Sequence, residues 1–283
     1  MKADQLTDPV AFHGEGAFWD ARRQRLLMVD LLAGDVLDVA GSAGVTRHHV
    51  GTVAAALRSR AGGGFVVALE RGFALTDDEF VIERVLPEVF ADPAIRMNDG
   101  GCDPQGRFYC GTMAYAETPG AGTLFRLDAD LETATTLRDV TISNGLQWSS
   151  DGTRVFYNDT PTGRIDVFDF DGETARFSSR RAFVTLEPGQ NPDGMAIDEH
   201  DGIWIALWGG SAVHHYDSSG TLVEVVELPV TNVTACAFGG PDLATLFITT
   251  SRLGLPADVQ PDAGAVFTAV PGVRGAAQHA FAG

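Results

Sequence analysis

The sequence predicts an all-β protein, a six-bladed β-propeller, and three observations carry that expectation. Helical periodicity is scarce, and short apolar or alternating runs are bounded by Gly, Pro, Asp, Asn and Ser. The 33 glycines and 13 prolines punctuate the chain rather than clustering in a linker. Most decisively, one element recurs six times: a turn followed by a short apolar strand. It reads WDARRQRLLMVD from Trp19, RSRAGGGFVVAL from Arg58, CDPQGRFYCGTM from Cys102, WSSDGTRVFYND from Trp148, IDEHDGIWIALW from Ile197 and GPDLATLFITTS from Gly240.

The first apolar residues of these strands are Leu26, Phe65, Phe108, Val155, Ile203 and Leu246, spaced by 39, 43, 47, 48 and 43 residues. A second apolar strand, often ending in Asp, follows each copy: near Asp38, at Asp77, Asp128, Asp169 and Asp217, and near Phe267. One small sheet cannot bury both of its faces. A ring lets each sheet pack on two neighbours and leaves only short outer edges. The expectation is one propeller domain over residues 1–283, with the stretch around Val10–Phe12 adding the missing strand to the last blade.

Composition narrows the function. With 20 Lys+Arg against 38 Asp+Glu, the net charge is −18. An acidic chain is a poor partner for phosphate backbones and anionic membranes, so neither nucleic acid nor membrane binding is expected. No signal-peptide pattern opens the chain. Cys102, Cys110 and Cys236 lack metal-type spacing and read as buried free thiols of a cytoplasmic protein. A monomer or weak homo-oligomer is expected.

The repeat also collects polar residues. Just before the anchored strand, four units carry a polar residue, a glycine and a short stretch closed by Asp or Ser. These are Glu15-Gly16…Asp20, Asp99-Gly100…Asp103, Asn144-Gly145…Ser149 and Asp193-Gly194…Asp198. The other two units carry Val53 or Ala54, and Thr234, near that register. With this strand innermost, the four polar side chains point at one end of the central channel. Asn-Gly and Asp-Gly are also ordinary turn dipeptides. Four in equivalent ring positions ask for more, because clustered acids repel, and a cation resolves that conflict. Carboxylate and amide oxygens, with no Cys or His, suit Ca²⁺, Mg²⁺ or Mn²⁺, with Zn²⁺ and Fe(II) still open.

Taken together, GEGAFW, RMNDGGCDPQGRFYCGTM, ISNGLQWSSDG, NPDGMAIDEHDGIWIALWGG and AFGGPDLATLFITT resemble the regucalcin/gluconolactonase family of senescence-marker-protein-like sugar lactonases, in family order from about Gly14 onward. The resemblance implies a six-bladed propeller with one divalent metal in its channel. It implies hydrolysis of an aldonolactone such as glucono-, xylono- or arabinonolactone. Glu15, Asn144 and Asp193 would be the metal ligands, and Arg96 and Asn98 would contact substrate. Asn98, rather than the register-selected Asp99, is the residue the resemblance singles out, which leaves Asp99 behind the site. Some members carry a substrate-binding acid two or three residues after Gly-Thr-Met. Here Met113 is followed by Ala114, Tyr115, Ala116 and Glu117, so Tyr115 and Glu117 are the candidates to replace it. Trp208 is expected to wall the pocket.

That constellation suits ester chemistry: a cation stabilises charge on a lactone carbonyl, and Asp193 serves as ligand and base together. No GxSxG, HExxH, P-loop or GxGxxG signal competes. The pairs His48-His49 and His214-His215 point to opposite strand faces and read as packing or surface residues. His13 lies two residues before Glu15; reach to the channel mouth is the less favoured of its readings. The alternatives are a propeller phosphotriesterase or aryl esterase, and a non-enzymatic calcium-binding or interaction propeller.

Overall fold

A computed structural model describes residues 1–41, 44–256 and 258–283. Six antiparallel four-stranded sheets form a ring, and no α-helix is present among the described residues. No helix there is long and apolar enough to cross a membrane. The innermost strands are Gly14–Asp20, Ala54–Ser59, Ile95–Cys102, Ser143–Trp148, Asn191–Ile197 and Val233–Gly239. Each packs beside the next, and the first closes on the last.

The six repeat anchors are the first or second residue of the second strand of each sheet, not of the innermost one. Their burial explains why they stand out in sequence: Leu26, Phe65, Phe108, Val155, Ile203 and Leu246 are all 0–1% exposed. A second strand is covered by the neighbouring blades on both faces, so it reads as a continuous apolar run. Outer strands lose that signal, and every residue of Ile82–Val85 is exposed. The strand that completes the last sheet is Asp4–Gln5, paired with Phe267 and Thr268, upstream of the expected Val10–Phe12. Val10 and Ala11 instead donate their backbone N–H groups to Gly264.

The Asp and Ser residues closing the repeat motif serve the turns. Asp103 accepts from the Gln105 and Arg107 amides, Asp198 from the His200 and Gly202 amides, and Ser149 Oγ from the Arg154 amide. Trp204 ties one such turn to the core. It is fully buried, its Nε1 donates to Asp198 Oδ2 at 3.0 Å, and its ring stacks on His215 at 4.0 Å. Trp204→Ala is therefore expected to cost about 3–5 kcal/mol, read from the urea midpoint. A loss under about 1 kcal/mol would show that the neighbouring blades collapse into the space.

The cysteines are all buried and free, and burial pushes their thiols up, Cys236 to about 12. The paired histidines serve packing or the surface: His48 lies against Phe80 and His214 bonds Tyr216, while His49 is exposed and pairs with Asp35.

Candidate functional site

Each innermost strand carries a register irregularity near the same level, between Glu15 and Phe18, Ala54 and Ala56, Met97 and Gly100, Asn144 and Leu146, Pro192 and Met195, and Val233 and Ala235. A bulge adds a residue to one strand and re-aims the side chain beside it. Close approach of neighbouring bulges requires glycine next to the polar residue. A Cβ on Gly194 would stand 2.7 Å from the Ala235 Cβ, and one on Gly145 would stand 2.8 Å from the Asp193 carbonyl oxygen.

One cavity of about 530 Å³ opens at this end of the channel. Glu15, Arg96, Asn98, Asn144 and Asp193 line it together with Tyr115, Glu117 and Trp208, so the structure brings these sequence-selected residues to one place. Glu15 and Asp193 are 178 residues apart in the chain, and only ring closure brings them together.

Asp99 is the exception. It faces a small void deeper in the channel, beside Arg58, and its Oδ1 accepts from the Gly100 amide at 2.7 Å. Counted back from the turn residues Asp20, Asp103, Ser149 and Asp198, the cavity residue lies five positions earlier: Glu15, Asn98, Asn144 and Asp193. The register that selected Asp99 was one residue off, and on a strand one residue is the opposite face.

The polar floor is cross-linked. Arg96 Nη1 donates to Asn98 Oδ1 at 2.6 Å, and Asn98 Nδ2 donates to Asn144 Oδ1 at 2.7 Å and to the Ser143 carbonyl at 2.9 Å. Asn144 Nδ2 donates to Thr160 Oγ1 at 2.8 Å, which orients the amide oxygen, and Thr160 Oγ1 donates to the Pro192 carbonyl at 2.7 Å. Asn158 Nδ2 holds the Asp193 carbonyl at 2.7 Å. Sequence reasoning missed Asn158 and Thr160. The available signal was the strand pairing, since Asn158 lies directly opposite Asn144.

Two carboxyl groups stand on this floor in unfavourable surroundings. Burial and then the charge of Asp99 push Glu15 up to about 8. Burial, then Glu15 and Asp99, holds Asp193 well above the usual carboxylate range. His13 joins them: its Nε2 is 3.9 Å from Glu15 Oε1, and its Nδ1 shares a 2.9 Å hydrogen bond with Ser251 Oγ. Burial, then Arg96, pulls His13 down to about 3, so the ring is neutral at ordinary pH.

The residues fit a hard divalent cation. Asp193 Oδ1 is buried and has no hydrogen-bond partner among the described residues. A second carboxylate and an oriented amide oxygen share its cavity. A cation would meet that orphaned oxygen and relieve the carboxyl–carboxyl repulsion. No cluster of three or more His, Cys, Asp or Glu with metal-binding geometry occurs among the described residues, so a donor set built here would have to include an amide such as that of Asn144.

The chain is also similar to known proteins. The model of the SMP-30/gluconolactonase/LRE-like region matches residues 13–252. Regucalcin of Gallus gallus is 34% identical over 283 residues, covering 95% of both chains. Among solved structures, a luciferin-regenerating enzyme superposes with a TM-score of 0.91 at 29% identity, covering 99% of each chain. The calcium-binding protein regucalcin of Agrobacterium tumefaciens gives 0.92 at 25% identity, covering 99% of this chain and 97% of its own. With the six-bladed ring and the match across most of its length, this chain belongs to the SMP-30/gluconolactonase/LRE-like family.

Proposed function

We propose that this protein hydrolyses a sugar lactone, such as glucono-, xylono- or arabinonolactone, to the open-chain sugar acid. The observation that carries the reading is the orphaned Asp193 Oδ1, in one cavity with Glu15, Asn98 and Asn144. Glu15, Asn144 and Asp193 would hold one divalent cation, which when bound supplies Lewis-acid stabilisation of charge developing on the carbonyl oxygen. Asp193 takes a proton from the attacking water, whose oxygen bonds to the carbonyl carbon. The ring C–O bond then breaks, the departing oxygen takes up a proton, and the products are a hydroxy acid anion and one released proton. Arg96 and Asn98, locked to each other at 2.6 Å, orient the substrate. Trp208, edge-on to His13 at 5.9 Å, walls the site from water.

A second reading is favoured by one observation: a relative and a neighbour are both named regucalcin, and the neighbour is described as calcium-binding. In it the same three residues hold Ca²⁺ without turnover. One experiment separates the two. The protein is stripped with chelator and assayed against the three lactones and an aryl ester, with Ca²⁺, Mg²⁺, Mn²⁺, Zn²⁺ or Fe(II) added back singly. The expected result is lactone hydrolysis lost on stripping and restored by at least one ion. Tight ion binding with no turnover of any substrate overturns the lactonase reading in favour of the second, and turnover of the ester alone assigns the site to ester hydrolysis.

A further inference from the structure

We propose that Thr160 is the positioning residue of the candidate cation site: its hydroxyl holds the nitrogen end of the Asn144 amide and so keeps the oxygen end turned into the cavity. The inference rests on the ligand role given to Asn144 in the reading above.

The hydrogen bonds of the floor run in one direction. Arg96 Nη1 donates to Asn98 Oδ1, Asn98 Nδ2 to Asn144 Oδ1, Asn144 Nδ2 to Thr160 Oγ1, and Thr160 Oγ1 to the Pro192 carbonyl. The two ends fix that direction. A guanidinium can only donate and a carbonyl oxygen can only accept, so neither amide between them can be turned round without setting donor against donor or acceptor against acceptor. The Ser143 carbonyl, which accepts from Asn98 Nδ2 as well, fixes the Asn98 amide a second time. Asn144 Oδ1 has two lone pairs, and Asn98 takes one. The other is what a cation would meet. Asn98 grips only the oxygen, and an amide held at one end pivots about that bond. Thr160 grips the nitrogen, and the two bonds together fix the plane.

Thr160 is a firm anchor. It opens a single 3₁₀ turn, Thr160–Thr162, which contains Pro161 and is closed by Gly163 in the left-handed conformation. Its amide donates to the Ile142 carbonyl at 3.1 Å, and the Asp159 carboxylate before it accepts from the Thr141 and Ile142 amides at 3.0 and 2.8 Å. The turn is thus pinned to the residues that lead into the strand carrying Asn144. The hydroxyl hydrogen is committed to the Pro192 carbonyl, which leaves an oxygen lone pair for Asn144 Nδ2. Loss of that hydroxyl would not release the neighbouring ligand, because Asn158 Nδ2 holds the Asp193 carbonyl independently at 2.7 Å. The influence of Thr160 on the site is therefore routed through Asn144.

The test titrates the chelator-stripped protein by calorimetry with each of the five ions named above and follows the one it binds tightest, with glucono-1,5-lactone turnover measured alongside. Thr160→Val keeps the shape and removes the hydroxyl, and is expected to weaken binding ~10- to 100-fold, the scale for losing a residue that orients a ligand. Thr160→Ala, smaller and unable to crowd the turn, is expected to do the same. Thr160→Ser keeps the hydroxyl and is expected to bind as the native protein does. Asn144→Asp supplies a readout that a loosened turn would not move. A carboxylate shows an oxygen whichever way round it stands, so in that background Thr160→Val is expected to change affinity by no more than ~2-fold. Melting temperatures check that each variant is folded. Native affinity in both Thr160→Val and Thr160→Ala, or a loss of equal size in the Asn144→Asp background, overturns the inference and leaves the lactonase reading standing. A loss in Thr160→Ser as large as in Thr160→Val overturns it too. Ion binding that follows the expected pattern without lactone turnover supports the inference and overturns the lactonase reading. A native protein that binds none of the five ions overturns both.

Discussion

Asp193→Ala is expected to lower lactone kcat/KM by ~10³-fold or more and to abolish divalent-cation binding, with the far-ultraviolet circular dichroism unchanged. General-base help alone accounts for ~10²–10⁴-fold in such reactions. Asp193 Oδ1 is also a buried acceptor without a hydrogen-bond partner among the described residues, so removing the side chain would take away the proposed ligand and the proposed base together. Asp193→Asn separates the roles, because an amide oxygen still ligates but cannot take the proton. It should keep cation binding, measured by calorimetry, and lose turnover. The backbone of residue 193 is held by Asn158 in either variant, so the fold has no reason to give way. Normal hydrolysis by Asp193→Ala would end the assignment.

The second large effect is on stability in the absence of a cation. Glu15 holds its proton up to about pH 8 in the folded chain, and Asp193 is raised as well, whereas both ionise near pH 4 when unfolded. A raised folded value means the folded state binds more protons, so this stability is present at low pH and is lost as pH climbs toward 8. His13 acts in the opposite sense. Its folded value of about 3 lies below its unfolded 6.5, so its contribution grows as pH rises to about 6.5 and is constant above. The carboxyl effect is therefore isolated between about pH 6.5 and 8. At about 1.4 kcal/mol per pH unit for each retained proton, the chelator-stripped protein should lose on the order of 2 kcal/mol across that window from Glu15 alone. Saturating divalent cation should remove the loss, since it replaces the protons. Glu15→Gln should make the metal-free profile less steep, with Asp193 left to contribute the remainder, read from urea midpoints at pH 6.5 and 8. A metal-free midpoint that holds or rises over that interval would contradict the raised carboxyl values.

The fold was legible because its signal is local and repeated. Each blade carries a doubly covered strand of unbroken apolar residues, and six of those at a period near 45 leave few architectures that bury them. The floor residues were legible for a related reason: a ring turns equal positions in successive repeats into neighbours. Glu15, Asn144 and Asp193 could be selected from their position in the repeat before any contact was seen.

The distinction between Asn98 and Asp99 was not legible in the repeat register. Both are polar, they are adjacent, and the bulge that sends one to the cavity and the other down the channel arises from pairing with the next strand. The rest of the cavity lining had no signature either. Leu32 and Leu253 come from connections in the first and last blades, and nothing in their own stretch of chain says that they meet. Sequence by itself determined the repeated second strands, how many blades they make, and that Glu15, Asn144 and Asp193 share one level of the ring. Tertiary structure alone decided which face each bulged residue takes, which polar atoms are left without a partner and which side chains enclose the cavity. Periodicity survives in one dimension, whereas partnership and enclosure exist only between segments brought together by the closed ring.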